Sequence, residues 1–186
     1  MKLSHLAISM LAFAACTNTA LAANALSEQA AQYQAACAQA KGYFQYGTIN
    51  SPPNSDYPAV TNFKPGNKLH GVPLSHTHIE ITSALDGKVY DVAIDNVFAK
   101  DFKRYRREVP ASYRRNLKAG RTVYFCGGNP GSEPYTLSGQ KFAQHGFDWV
   151  HTNCESPNSQ FADGWMITEN GSKLTNSHKY CYLWNE

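Results

Sequence analysis

With 186 residues and a net charge of +3, the chain is long enough to bury one substantial core, and nothing in its length requires two domains. There is no repeat or low-complexity tract, and no stretch beyond the N-terminal region approaches the roughly 20 apolar residues of a membrane span. The charge is uneven: the segment 100–121 holds nine Lys and Arg against Asp101 and Glu108, a net of +7 that leaves the remainder acidic.

The chain begins as an export signal. Lys2 supplies the positive start, Leu3 to Ala15 is apolar apart from Ser4, His5 and Ser9, and Ala20-Leu21-Ala22 has the small-x-small form of a cleavage site. Residues 1–22 are therefore expected to be removed, leaving 23–186 as one disulfide-bonded domain, periplasmic or secreted. Phe13-Ala14-Ala15-Cys16 offers an alternative lipoprotein-type site that would anchor the chain through Cys16, although the usual Leu is missing from it. Cys37, Cys126, Cys154 and Cys181 then remain. They form an even set without a C-x-x-C, which points to two disulfides rather than zinc.

Ser27 caps a predicted helix from about Glu28 to Lys41, stopped by Gly42. Tyr43 to Ile49, aromatic and β-branched, reads as the first strand. Five prolines make 50–73 a long loop or insertion. Around Asp86-Gly87 the apolar residues alternate strictly, Ile79 and Ile81 before it and Tyr90, Val92 and Ile94 after it, which predicts a β-hairpin. A two-residue type I′ turn at Asp-Gly sets Ile81 opposite Val92 and Ile79 opposite Ile94. On the other face it sets Thr82 opposite Asp91, Glu80 opposite Ala93 and His78 opposite Asp95.

Past the hairpin, the basic run reads as a short helix to about Glu108, a break at Pro110, and a helical turn from Ala111 to Leu117 ended by Gly120. Arg121 to Cys126 and Phe147 to Thr152 are the fourth and fifth strands, with a small hairpin in the loop between them. Gly164 to Thr168, a turn at Glu169-Asn170-Gly171, and extended Lys179 to Trp184 close the chain. Strand, hairpin, helix-bearing crossover and two more strands is the order of the five-stranded OB-type barrel. The predicted fold is thus mainly β (α+β): an OB-like barrel with an N-terminal helix, a helical crossover and an aromatic C-terminal extension, with a β-sandwich or another small α+β domain as the alternative. As neighbouring strand ends, Cys126 and Cys154 are expected to pair, leaving Cys37 to tie the helix to Cys181.

Two functions follow from these residues. Arg106, Arg107, Arg114 and Arg115, with Trp149 and Trp165 as further ligand-binding residues and Tyr43, Phe44, Tyr46, Tyr105 and Tyr113 as stacking rings, suit a non-catalytic module that binds a polyanion, either nucleic acid or an anionic glycan. Alternatively, His78 and Asp95 with His151 suit a small metal-assisted hydrolase, a phosphodiesterase or nuclease, in which His76 and His78 offer ligands to a divalent metal. The plain reading of the same residues is a polar strand face on which His78 is hydrogen-bonded to Asp95. The His-x-His spacing is that of cupins, but Glu80 comes too early and no second motif follows, which excludes that assignment. No G-x-S-x-G is present, and Glu80, Asp91 and Asp95 give no further sign of a glycosidase pair.

Gly146-Phe147-Asp148-Trp149-Val150-His151-Thr152-Asn153-Cys154, followed by Gly164-Trp165, resembles a motif of small exported bacterial proteins of unknown function, roughly V-H-W-T-H-H-D-P and then Gly-Trp. That family is similar also in a His before a strand, a Gly turn and a Leu-x-x-Gly stretch, matched here by His76 or His78, by Gly87, and by Leu117-Lys118-Ala119-Gly120. The resemblance covers about Gly71 to Thr168. It implies an OB-like fold, export, and motif positions at His151 and Trp165. Asn153-Cys154 stands where the family has its second His and Asp, and the family brings no settled activity.

Overall fold

The computed structural model describes residues 28–50, 54–56, 72, 74–104, 106, 108–128, 130–131, 136–137, 140–141, 145–154 and 162–184. The export signal with Cys16, the Ser27 cap, Arg107 and most of the loop 50–73 lie outside the described residues. Among the described residues no helix is long and apolar enough to cross a membrane.

Helix α1 spans residues 28–39. It ends in a Schellman-type cap, with the amide of Gly42 donating to the Cys37 carbonyl at 3.0 Å and that of Lys41 to Ala38 at 3.1 Å. Lys41, not Gly42, takes the left-handed conformation, with φ 58°. Gly42 is needed for a different reason: a Cβ there would come within 2.4 Å of Cys126 Sγ.

Nine short strands follow among the described residues: β1 (Tyr43–Ile49), β2 (Asn54–Asp56), β3 (His76–Ser83), β4 (Val89–Asp95), β5 (Thr122–Gly127), β6 (Thr136–Leu137), β7 (Gln140–Lys141), β8 (His145–Phe147) and β9 (Trp165–Thr168). The fold is mixed α+β, dominated by one sheet in the order β8-β4-β3-β1-β5-β9, with β2 on the same edge of β3 as β1. β6 and β7 form the small hairpin expected between β5 and β8. Among the described strands only the β4–β8 pairing is parallel. β8 and β9 do not pair with each other, so strand pairing among the described residues does not close the expected barrel. Two backbone bonds nevertheless run between the continuations of β5 and β8: Gly128 N–H to Asp148 O and Gly131 N–H to Gly146 O, both 2.9 Å.

The β3–β4 register differs from the expected one by two residues. Ile81 pairs with Tyr90, Ile79 with Val92, His78 with Ala93 and His76 with Asp95. The faces survive, because side chains alternate with period two, and Ile79, Ile81, Val92 and Ile94 are all fully buried. The partners do not survive, because the loop has four residues rather than two. The Ser83 amide donates to Lys88 O at 2.8 Å, Ser83 Oγ accepts the amides of Leu85 and Asp86, and Asp86 Oδ1 accepts that of Lys88. Among these loop residues only Gly87 has positive φ, at 70°, whereas a type I′ turn needs it at both central positions.

Between β4 and β5 the described residues of the expected first helix form a 3-10 turn, Asn96–Phe98, and then irregular chain. Helix α2 follows as Ala111–Asn116. Asp101 caps it from outside, its carboxylate accepting the Ser112 amide at 2.8 Å and the Ser112 hydroxyl at 2.5 Å. Phe102, Val109, Tyr113 and Leu117 anchor this segment in the core.

The fifth strand stops at Phe147, five residues earlier than expected, because Trp149 adopts φ 57° and turns the chain. The C-terminal Cys181–Trp184 is a 3-10 turn, not an extended segment. Both disulfides pair differently from expectation. Cys37 bonds Cys126, and Cys154 bonds Cys181. Cys126 faces outward on β5, opposite Phe44 and Trp165, directly beneath helix α1.

Candidate functional site

The end of β4 gathers buried and half-buried polar side chains from β3, β4 and the chain after β8. Asn96, fully buried, donates its side-chain amide to Ser75 Oγ at 2.8 Å and accepts the Thr77 hydroxyl at 2.5 Å, while its backbone amide donates to Ser75 O at 2.8 Å. Both neighbours of His76 are thereby fixed to the residue after Asp95. His76 Nε2 stands 2.6 Å from Asp95 Oδ1. Asp95 begins the 3-10 turn without capping it, so its carboxylate stays available to side chains.

His151 reaches the same carboxylate from the chain that follows β8. The turn at Trp149 brings it there, and three glycines leave room for that turn. A Cβ at Gly127 would meet Asp148 O at 2.4 Å, one at Gly164 would meet Trp149 O at 2.0 Å, and one at Gly128 would crowd Asp148 Oδ1 at 3.0 Å. The His151 ring lies parallel to Phe98, with centroids 4.1 Å apart, and Trp149 flanks it at 5.4 Å. Its Nδ1 is 2.9 Å from Thr152 O. A carbonyl can only accept, so Nδ1 carries a proton, and in the neutral ring Nε2 presents the lone pair. That Nε2 faces Asp95 Oδ2 at 3.7 Å.

The electrostatics follow from burial and proximity. Burial opposes ionisation of Asp95, but the His76 ring, assisted by His151, holds its carboxyl below the usual carboxylate range. Burial pushes His151 below the usual histidine range against the pull of Asp95. Asp148, within electrostatic reach of His151, His76 and Asp95, is raised by burial.

The predicted site residues are redistributed. His78 does not meet Asp95. Its Nδ1 lies 2.9 Å from Asp91 Oδ2, and both side chains are buried. This follows from the two-residue shift in register, and it makes His76 rather than His78 the partner of Asp95. The proposed metal pair His76 and His78 has ring centroids 6.3 Å apart, with each histidine committed to its own aspartate. Among the described residues no three His, Cys, Asp or Glu side chains form a metal-holding group. Trp165 packs on Tyr33 of α1 at 5.5 Å and on Phe44 at 6.3 Å, so its ring joins helix to sheet, while Trp149 stands at the cluster. In the basic run, Arg106 and Arg114 both approach Glu108, at 3.2 and 3.8 Å. Arg115 is exposed near Asp101. Arg107 lies outside the described residues.

No protein-family model matches the chain, and no curated protein or solved structure matches it. The geometry therefore carries the functional reading by itself. Asp148 and Asn96 were not singled out from the sequence. Asn96 had a signal, a polar residue directly after an alternating strand, where a side-chain amide can join the two strand ends. Asp148 had none, since the F-D-W-V-H-T alternation reads as a strand that places it outward.

Proposed function

We propose that the protein is an exported, OB-type module that binds an anionic polymer along the segment 100–121. The observation that carries this reading is the way the segment is mounted. Lys100, Lys103, Arg106, Arg114, Arg115 and Lys118 are exposed, while Phe102, Val109, Tyr113 and Leu117 are buried beneath them. A cationic surface with buried anchors keeps its charges in place, so binding costs less ordering entropy than it would on a loose tail.

Several features accord with an OB-type barrel. With β1, β3, β4, β5 and β8 taken as its five strands, the helix falls between the third and fourth, and the two backbone bonds at Gly128 and Gly131 join the open ends of the five-strand path. Two disulfides accord with a periplasmic or extracellular site. The likeness to small exported bacterial proteins puts His151 among its motif positions, and His151 belongs to the Asp95 cluster.

A second reading, hydrolysis of the bound polymer, is favoured by the meeting of His76 and His151 on one carboxylate. Elution from immobilised single-stranded DNA and from immobilised heparin tests the first reading. Wild type should need more salt than a variant with Arg106, Arg107, Arg114 and Arg115 replaced by Ala, and equal elution on both matrices would refute it. Release of soluble nucleotides from single-stranded nucleic acid tests the second.

A further inference from the structure

The two disulfides sit in opposite surroundings. Cys37 and Cys126 are each 0% exposed, closed in between α1 and β5, whereas Cys154 and Cys181 are both half-buried and lie near exposed His178 and Tyr182. His178 Nδ1 stands 3.7 Å from Cys181 Sγ. A disulfide sulfur has no proton to give, so the ring nitrogen can only donate to it. Access to the bridge, and a proton donor beside the sulfur that departs, are what an incoming thiolate needs. We infer that Cys154–Cys181 is a site of thiol–disulfide exchange with a dithiol, and that its reduction releases the C-terminal residues 176–184 from the ring that supports His151.

The bridge closes a strap over the 3-10 turn that follows β4. Up to Thr175 the chain belongs to the sheet: the Leu174 amide donates to Met166 O at 2.9 Å, and Thr175 O accepts the Thr152 amide at 3.0 Å. Beyond it, the Ser177 amide donates to Phe98 O at 3.0 Å. Trp184 packs on the Phe98 ring with centroids 5.3 Å apart, and Tyr180 stands edge-on to Phe102, also at 5.3 Å. Phe98 is the ring on which His151 stacks, and Phe102 is one of the buried anchors of the basic segment. The strap therefore braces both the histidine cluster and the start of the cationic surface. Its closed position leaves Asn176 Oδ1 buried without a hydrogen-bond partner among the described residues, a cost that opening to water removes.

The position of His178 sets the direction of attack. A thiolate of the dithiol bonds to Cys154 Sγ, the S–S bond breaks, and Cys181 leaves as a thiolate that the His178 donor stabilises. The second thiol of the reagent, once deprotonated, attacks the mixed disulfide and expels Cys154. Two electrons pass from the dithiol, which ends as a disulfide, to the cystine, and the two thiol protons end on Cys154 and Cys181. Without the bridge, Leu183 and the Ser177 bond must hold the strap against the entropy of a chain end tethered at Thr175. The strap swings out from there, while the buried Cys37–Cys126 bridge keeps α1 on the sheet. Whichever polymer the module binds, this opening rests on these contacts alone.

The test uses the mature oxidised protein with dithiothreitol as the dithiol, quenched at intervals with an alkylating reagent and mapped by peptide mass. Cys154 and Cys181 should become alkylated together, at least about tenfold faster than Cys37 and Cys126. His178→Ala, an exposed change, should slow that step by about threefold or more. Hydrogen exchange on the selectively reduced wild type reads the strap without relying on a cysteine variant to fold. The Ser177 and Leu183 amides, bonded to Phe98 O and Tyr180 O, should lose protection, while the Gly42 amide, bonded to Cys37 O, should keep it. Equal rates of reduction at the two bridges, or a rate unchanged in His178→Ala, overturns the exchange site. Strap amides that stay protected in the reduced protein, or protection lost at Gly42 as well, overturn the release.

Discussion

Replacing Asn96 by Ala should loosen the junction that aligns His76 with Asp95, and its size can be worked out. The substitution removes the amide that donates to Ser75 Oγ and accepts from Thr77 Oγ1. Thr77 is fully buried and Ser75 is 5% exposed, so water cannot replace the lost partner. Each orphaned hydroxyl costs about 1–3 kcal/mol, which gives a loss of about 2–6 kcal/mol against a total stability on the order of 5–15 kcal/mol. At this chain length about 2–4 °C of melting temperature accompanies each kcal/mol, so calorimetry should find a drop on the order of 10 °C. Adding Ser75→Ala should cost less than the sum of the two single changes, because the second substitution removes a group already stranded. A melting point within about 2 °C of wild type, or strict additivity, would refute the account of how the strand ends are joined.

Three further outcomes are expected. Non-reducing peptide mapping should recover Cys37 with Cys126 and Cys154 with Cys181; removing the first bridge, with a separation of 89 residues against 27, should destabilise by about 1 kcal/mol more than removing the second if unfolded-chain entropy dominates. Burial lowers His151 in the fold, so below its ordinary value of 6.5 the unfolded chain takes up a proton more readily than the folded chain, and stability should fall as pH drops from there. Asp95, depressed in the fold from 3.8, adds a second loss as pH falls through that value and below. Denaturation as a function of pH should find the upper slope flattened in His151→Gln and the lower one retained. Glu108→Gln should strengthen binding to single-stranded DNA, because it frees Arg106 and Arg114 from a competing carboxylate, and unchanged affinity would argue that neither arginine touches the polymer.

The elements with strong periodicity were legible in the sequence. β1, the β3–β4 hairpin and β5 stand close to where alternation and β-branched residues put them. What the pattern could not carry was side-chain chemistry inside a turn. Ser83 and Asp86 capture loop amides, and this turns a two-residue loop into a four-residue one. Parity kept every hairpin side chain on its expected face and changed every partner, so the histidine that meets Asp95 is His76. The end of β8 was hidden for a related reason. A non-glycine residue with positive φ at Trp149 is unfavourable by about 1–2 kcal/mol by itself, and it is held there by glycines at 127, 128 and 164, far apart in sequence. The disulfide pairing depended on which face of β5 lies under α1, a packing relation that cysteine spacing does not encode.

Fluorescence anisotropy of a labelled single-stranded oligonucleotide across a salt series tests the binding account most directly. If the segment 100–121 holds the phosphates, log K should fall steeply with log salt, by about 0.7 for each phosphate contact. Replacing Arg106, Arg107, Arg114 and Arg115 by Ala should then flatten the slope by about 2–3 while leaving the melting temperature nearly unchanged, since exposed charges contribute little to stability. An unchanged slope in the four-arginine variant, with the fold intact, would contradict the claim that this segment is the polyanion-binding surface.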